Sequence, residues 1–144
     1  MERRSFFKSM LALTGLAAAG VAQAATPTKQ KVVYHLSDAE KVKFVLGNIQ
    51  NHIAGMGGPD YVEIVLVVHG PALKEFHAVA ADPAFKQTVA TLKAEGVALN
   101  ACANTMKQQK VDIKGLVPGF DRLPQGGVVR LAQLQGAGYI YLRP

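Results

Sequence analysis

Short apolar runs rich in β-branched residues recur along this chain, and the intervals between them carry apolar side chains at helical spacing. The runs KVVYHL (31–36), YVEIVLVVHG (61–70) and VALNAC (97–102) predict three strands. The second holds a single charge, Glu63, as expected of a strand covered on both faces. After the first strand, SDAE (37–40) offers a capping box in which Ser37 caps a helix and Glu40 reaches back. Val42, Val45, Leu46, Ile49 and Ile53 then follow at helical intervals. GMGGPD (55–60) predicts a turn. Pro71 suits the first turn of a helix that sets Leu73, Phe76 and Val79 on one side. Asp82-Pro83 repeats the cap-then-proline start; Phe85, Val89 and Leu92 continue it and Gly96 ends it. A short helix in 104–110, an irregular DIKGLVPGF segment and a short strand near 120–123 come next. A PQGG turn then leads into a helix with Val128, Leu131 and Leu134, and YIYL (139–142) closes the chain as a strand.

Strands alternating with helices imply an α/β domain with a parallel sheet and helices on both faces. Such a sheet places its binding crevice outside the carboxyl ends of its strands. Three of those ends read His35-Leu36-Ser37, His69-Gly70-Pro71 and Cys102-Ala103-Asn104, so a thiol and two imidazoles fall on one edge.

The first residues change the picture of where the protein works. Arg3, Arg4 and Lys8 precede an uncharged stretch from Ser9 to Ala22, and Ala22-Gln23-Ala24 has an A-x-A arrangement. That order describes an export signal, and the stretch is too short for an ordinary spanning helix. Arg3-Arg4 followed by Ser5-Phe6-Phe7-Lys8 resembles the twin-arginine signal; a general secretory signal is the other route. Residues 1–24 are therefore read as the signal, with a periplasmic location and no membrane attachment after cleavage. Residues 25–30 form a loose leader, and 31–144 a single domain.

Charge and composition narrow the function classes. With 49% hydrophobic residues in 144, the chain can build one small core. Arg3, Arg4, Lys8 and Glu2 leave with the signal, so the net charge of +6 falls to +4. No Lys/Arg run interleaves with aromatics, and this modest excess reads as solvated surface rather than a nucleic-acid footprint. One cysteine allows no intrachain disulfide, so stability comes from packing.

Cys102 is thus a lone thiol in an oxidising compartment. One reading is a buried structural cysteine, since thiols behave as small apolar groups. The other is a reactive thiolate, because a strand-to-helix junction offers free N–H groups, with Lys107 and Lys110 nearby in sequence. His69 stands where the second strand turns, placed either to act on a sulfur anion or to fasten the loop. His35 is weaker, because alternation along its strand is able to bury it; His52 and His77 fall on predicted helices as surface or packing residues. A metal site of Cys102, His35 and His69 lacks any C-x-x-C or H-x-x-x-H spacing, and none is expected. Phosphate-loop, dinucleotide and G-x-S-x-G fingerprints are absent from the sequence.

Taken in order, the first strand with its long helix, VVHG at 67–70, CANTMK at 102–107 and the tail GGVVRLAQLQGAGYIYLRP resemble the DsrE/DsrF-like sulfur-relay family. The similarity spans residues 31–144. Cys102 with Asn104-Thr105, and the ending from Leu134 to Pro144, are its most specific parts. The resemblance implies a three-layer α/β/α domain with a mainly parallel five-stranded sheet, assembled as homo-oligomers, trimers or hexamers. It implies a persulfide on Cys102, with His69, Gly70 and Asn104 at the binding site and no cofactor. Its partners are sulfur donors and acceptors, proteins or small thiols. The chain departs from the well-known cytoplasmic members in carrying an export signal, which excludes their tRNA route. Two other functions compete with that of a sulfur carrier or sulfurtransferase: a non-catalytic oligomeric module binding a ligand or partner, and a thiol redox sensor.

Overall fold

The first predicted strand runs from Gln30 to Leu36 (β1), taking in the last residue of the expected leader. Val42–Gly55 follows as α1, Val62–Val68 as β2, Pro83–Ala94 as α2, Ala98–Cys102 as β3 and Ala103–Gln109 as α3. Phe120–Leu123 (β4), Gly127–Gly136 (α4) and Ile140–Leu142 (β5) complete the chain. This computed structural model describes residues 28–144; the expected export signal, 1–24, lies outside the described residues.

Every strand pairing is parallel, and the sheet order is β4-β3-β2-β1-β5. The chain steps from β1 to β4 in one direction, then α4 returns it to β5 beside β1. Right-handed crossovers put α4 on the face opposite the other helices. The core records this division. Val32, Tyr34, Leu36, Leu66 and Leu99 pack against α1, α2 and α3 through Val45, Ile49, Val89, Leu92 and Met106. Phe76, Phe85 and Phe120 fill the same side, with ring centroids 5.3 and 5.1 Å apart. On the other face Val33, Val65, Val67 and Leu123 meet Leu131 and Leu134 of α4, with Ala98 and Tyr139 packed alongside. One face of the sheet is therefore thinly covered, and the site lies there.

Local signals explain most of these starts and stops. Asp82 caps α2 by accepting the Phe85 amide at 2.7 Å, with Pro83 at the first helical position. Gly96 turns the chain into β3 with φ of +90°. Three expectations are corrected. The Ser37–Glu40 capping box does not form: a 3-10 turn, Ala39–Lys41, precedes α1, and the Ser37 hydroxyl accepts from Arg143 at 3.0 Å. The helix expected from Pro71 is a 3-10 segment, Gly70–Phe76; the backbone becomes extended at His77, leaving Val79 98% exposed while Leu73 and Phe76 are buried. Val128, in the first turn of α4, is exposed as well, while Leu131 and Leu134 of the same helix are buried.

Candidate functional site

Strand register brings the chemistry together. Val68 pairs with Ala101, so His69, just past the end of β2, stands beside Cys102, the last residue of β3. His35 pairs with Val67, which faces the same way as His69, and Tyr141 pairs with Val33 one step below His35. Strand alternation aims Tyr141, His35, His69 and Cys102 at the α4 face. The four form a row along the carboxyl edge, crossing the switch point between β1 and β5.

Cys102 ends β3 and immediately precedes α3. It is 5% exposed, yet it lies at the wall of a pocket of about 330 Å³. His69, Gly70, Asn104, Thr105, Gln108, Gln125, Gly126, Gly127, Val128 and Val129 complete the lining, which among the described residues contains no lysine, arginine or carboxylate. A second hollow of about 280 Å³ between α1 and α2 is lined by Lys43, Leu46, Gln50, Asp82 and Phe85; it holds neither cysteine nor histidine.

The sulfur sits among donors. Burial pushes the thiol up, but the amides of Thr105 and Gly127, the Thr105 hydroxyl and the Asn104 amide outweigh it, holding the group below its ordinary value. Sγ makes no side-chain capping bond to α3. Thr105 is 5% exposed, and its hydroxyl accepts the Gly70 amide at 2.9 Å. Gly70 is held from its other end as well: its carbonyl accepts from Gln109 Nε2 at 2.9 Å, and Gln109 Oε1 accepts from His77 Nε2 at 2.8 Å. His77 therefore braces the site from outside it.

Gly126 and Gly127 close the pocket over the sulfur. Gly126 has φ of +90°, and a Cβ there would lie 3.0 Å from Asn104 Nδ2 and 4.0 Å from the sulfur. A Cβ on Gly127 would meet His69 Cβ at 3.3 Å and Cys102 Cβ at 3.5 Å. Only glycines let the start of α4 approach this closely and present the Gly127 amide to the thiol.

The imidazoles form their own chain. His35 Nε2 and His69 Nε2 are 2.6 Å apart, in nearly parallel offset rings, and His35 Nδ1 is 2.6 Å from the Tyr141 hydroxyl. Burial, then the charge of His69, then Arg143 push His35 down to about 4, against the pull of Asp38. Burial and Arg143 lower His69 too. The sulfur's donors do not include His69, so the ring does not hold the thiolate directly. Because the two Nε2 atoms face one another, the rings do not converge with Cys102 as metal ligands. Among the described residues no group of three His, Cys, Asp or Glu is arranged to hold a metal.

Of the residues singled out in the sequence, Cys102, His69, Gly70 and Asn104 line one pocket. His35 is half-buried beside it rather than in the core, and His52 bonds Tyr34 at 2.9 Å away from it. Thr105, Gly126, Gly127 and Tyr141 did not stand out as functional in the sequence. The adjacent glycines before an apolar helix were the available signal.

No family model matches this sequence, and no curated protein does. Solved structures do. A protein of unknown function, MTH1491 from Methanobacterium thermoautotrophicum, is 26% identical and covers 81% of this chain and 100% of its own, with a TM-score of 0.70. The ychN protein from E. coli, 16% identical, covers 80% of this chain and 99% of its own at 0.59. BT1422 from Bacteroides thetaiotaomicron, of unknown function, is 16% identical and covers 79% and 95% at 0.55. These neighbours share the α/β fold described above, five parallel strands with helices on both sides.

Proposed function

We propose that this protein is an exported sulfur carrier of the DsrE/DsrF-like kind. Cys102 takes sulfane sulfur from a persulfide or polysulfide donor, holds it as Cys–S–SH and passes it to an acceptor thiol. The observation that carries this reading is the Cys102 sulfur in a pocket whose described lining has no charged side chain, among donors that favour its anion. The thiolate is the nucleophile in such exchange, and a lowered pKa raises its population at neutral pH. One S–S bond forms as another breaks, so the transfer needs neither oxidant nor cofactor. The DsrE-like fold shared with the three solved structures supports the family. The pattern of residues 1–24 supports a periplasmic location. The family resemblance supports a homo-oligomer, a trimer or hexamer, working with donor and acceptor proteins or small thiols.

The near-complete burial of Cys102 favours a second reading, a binding module in which the thiol only packs. Alkylation of the native protein across pH separates the two. The carrier requires a thiol that reacts without denaturant, with an apparent pKa below about 7.5. A thiol modified only after unfolding would move the assignment to the module.

A further inference from the structure

Resting on the carrier reading, we propose that His69 is the acid–base group of sulfur transfer, and that His35 and Tyr141 are positioning residues that hold and reset it. The Tyr141–His35–His69 row engages His69 through Nε2, leaving Nδ1 as the nitrogen available to a group in the pocket that His69 lines with Cys102. A Cβ built on Gly127 would lie 3.3 Å from His69 Cβ, 3.4 Å from its ring Cδ2 and 3.5 Å from Cys102 Cβ, so the two side chains flank the same glycine.

The reaction has a proton to move. Cys102–SH and a donor R–S–SH become Cys102–S–SH and R–SH. The Cys102 sulfur bonds the outer sulfur, the R–S–S bond breaks, and its electron pair leaves on the RS⁻ thiolate. The proton released by Cys102 must reach that leaving group. In a pocket lined, among the described residues, by no charged side chain, an expelled alkyl thiolate has no fixed cation there to meet. A neutral His69 accepts the Cys102 proton at Nδ1 and returns it to RS⁻.

The chain equips His69 for both halves. At 2.6 Å, only one proton fits between the two Nε2 atoms. If His69 Nε2 donates it, His35 Nδ1 donates to the Tyr141 oxygen and His69 Nδ1 is a base. If Tyr141 donates to His35 Nδ1, the bonds reverse and His69 Nδ1 carries the proton as an acid. Neither arrangement is charged, and Tyr141, 39% exposed, connects the row to solvent. The charged neighbours, Arg143 on the β5 side and Asp38 after β1, oppose one another in their effect on the pair. The thiol itself is the remaining titratable group of the pocket.

Leaving-group basicity provides the test. Sulfur uptake by the purified protein is followed by intact mass from two persulfides, one of a basic alkyl thiol and one of a weakly basic aromatic thiol. His69→Gln is expected to slow uptake from the alkyl donor by about a hundredfold and from the aromatic donor far less. His35→Asn and Tyr141→Phe are expected to slow the alkyl reaction by about three- to tenfold and displace its pH profile. They carry the test if His69→Gln does not fold. Equal slowing with both donors, or none, would overturn the role of His69 while leaving the carrier intact. Wild-type protein that takes sulfur from neither donor would remove the carrier reading and this inference with it.

Discussion

At the scale of single residues, the chemistry depends on what surrounds one sulfur. Thr105 gives the clearest variant: Thr105→Val keeps the shape and removes the hydroxyl that the Gly70 amide orients. A hydrogen bond to a charged group is worth about 1.5 kcal/mol or more, so the thiol pKa should rise by about one unit. Alkylation at pH 7 should fall about tenfold, read as iodoacetamide rate against pH. His35 supplies a pH test. Its pKa is depressed in the folded state to about 4 from an ordinary 6.5. The unfolded chain therefore binds the extra proton first as pH falls. This contribution to stability is complete above about pH 6.5, declines toward pH 4 and then levels off. Solvent screening of a half-buried pair limits it to about 1–2 kcal/mol. Urea titrations at pH 7 and pH 4.5 should show that His35→Asn loses less stability across this window than the wild type does. Cys102 and His69 were legible as edge residues because each ends an apolar run. Thr105 was not, since its partner amide is 35 residues away in sequence.

At the scale of elements, the site depends on α4 starting where it does. Gly126→Ala adds a Cβ at positive φ and only 3.0 Å from the Asn104 amide nitrogen. It should destabilise the fold by about 1–2 kcal/mol and withdraw the Gly127 amide from the sulfur, lowering the alkylation rate at neutral pH. By contrast, Asp82→Ala should cost about 1 kcal/mol through loss of the α2 cap. Its thermal midpoint should fall while the alkylation rate stays at the wild-type value, since α2 contributes nothing to the pocket. The cap of α2 was readable because its partner is three residues away. The apparent box at Ser37 misled for the opposite reason. Arg143, 106 residues on, takes that hydroxyl, and no local pattern records the competition. Val79 and Val128 failed similarly: apolar spacing gave the right period, but the elements ended, or began, outside the core.

At the scale of the molecule, alternating strands and helices made the parallel sheet legible, together with the crevice at its carboxyl edge. The order β4-β3-β2-β1-β5 was not legible in that pattern, because the return of α4 to the far side of β1 is a tertiary choice. That return has two consequences. Among the described residues it leaves one face with a single helix, and it carries Tyr141 around to His35 to complete the Tyr141–His35–His69 row beside Cys102. The direct test of the whole account is the mass of the native protein after exposure to polysulfide, followed by an acceptor thiol. One adduct of ~32 Da is expected on Cys102, absent from Cys102→Ser and discharged by the acceptor. Wild-type protein of unchanged mass, or an equal adduct on the serine variant, would contradict it.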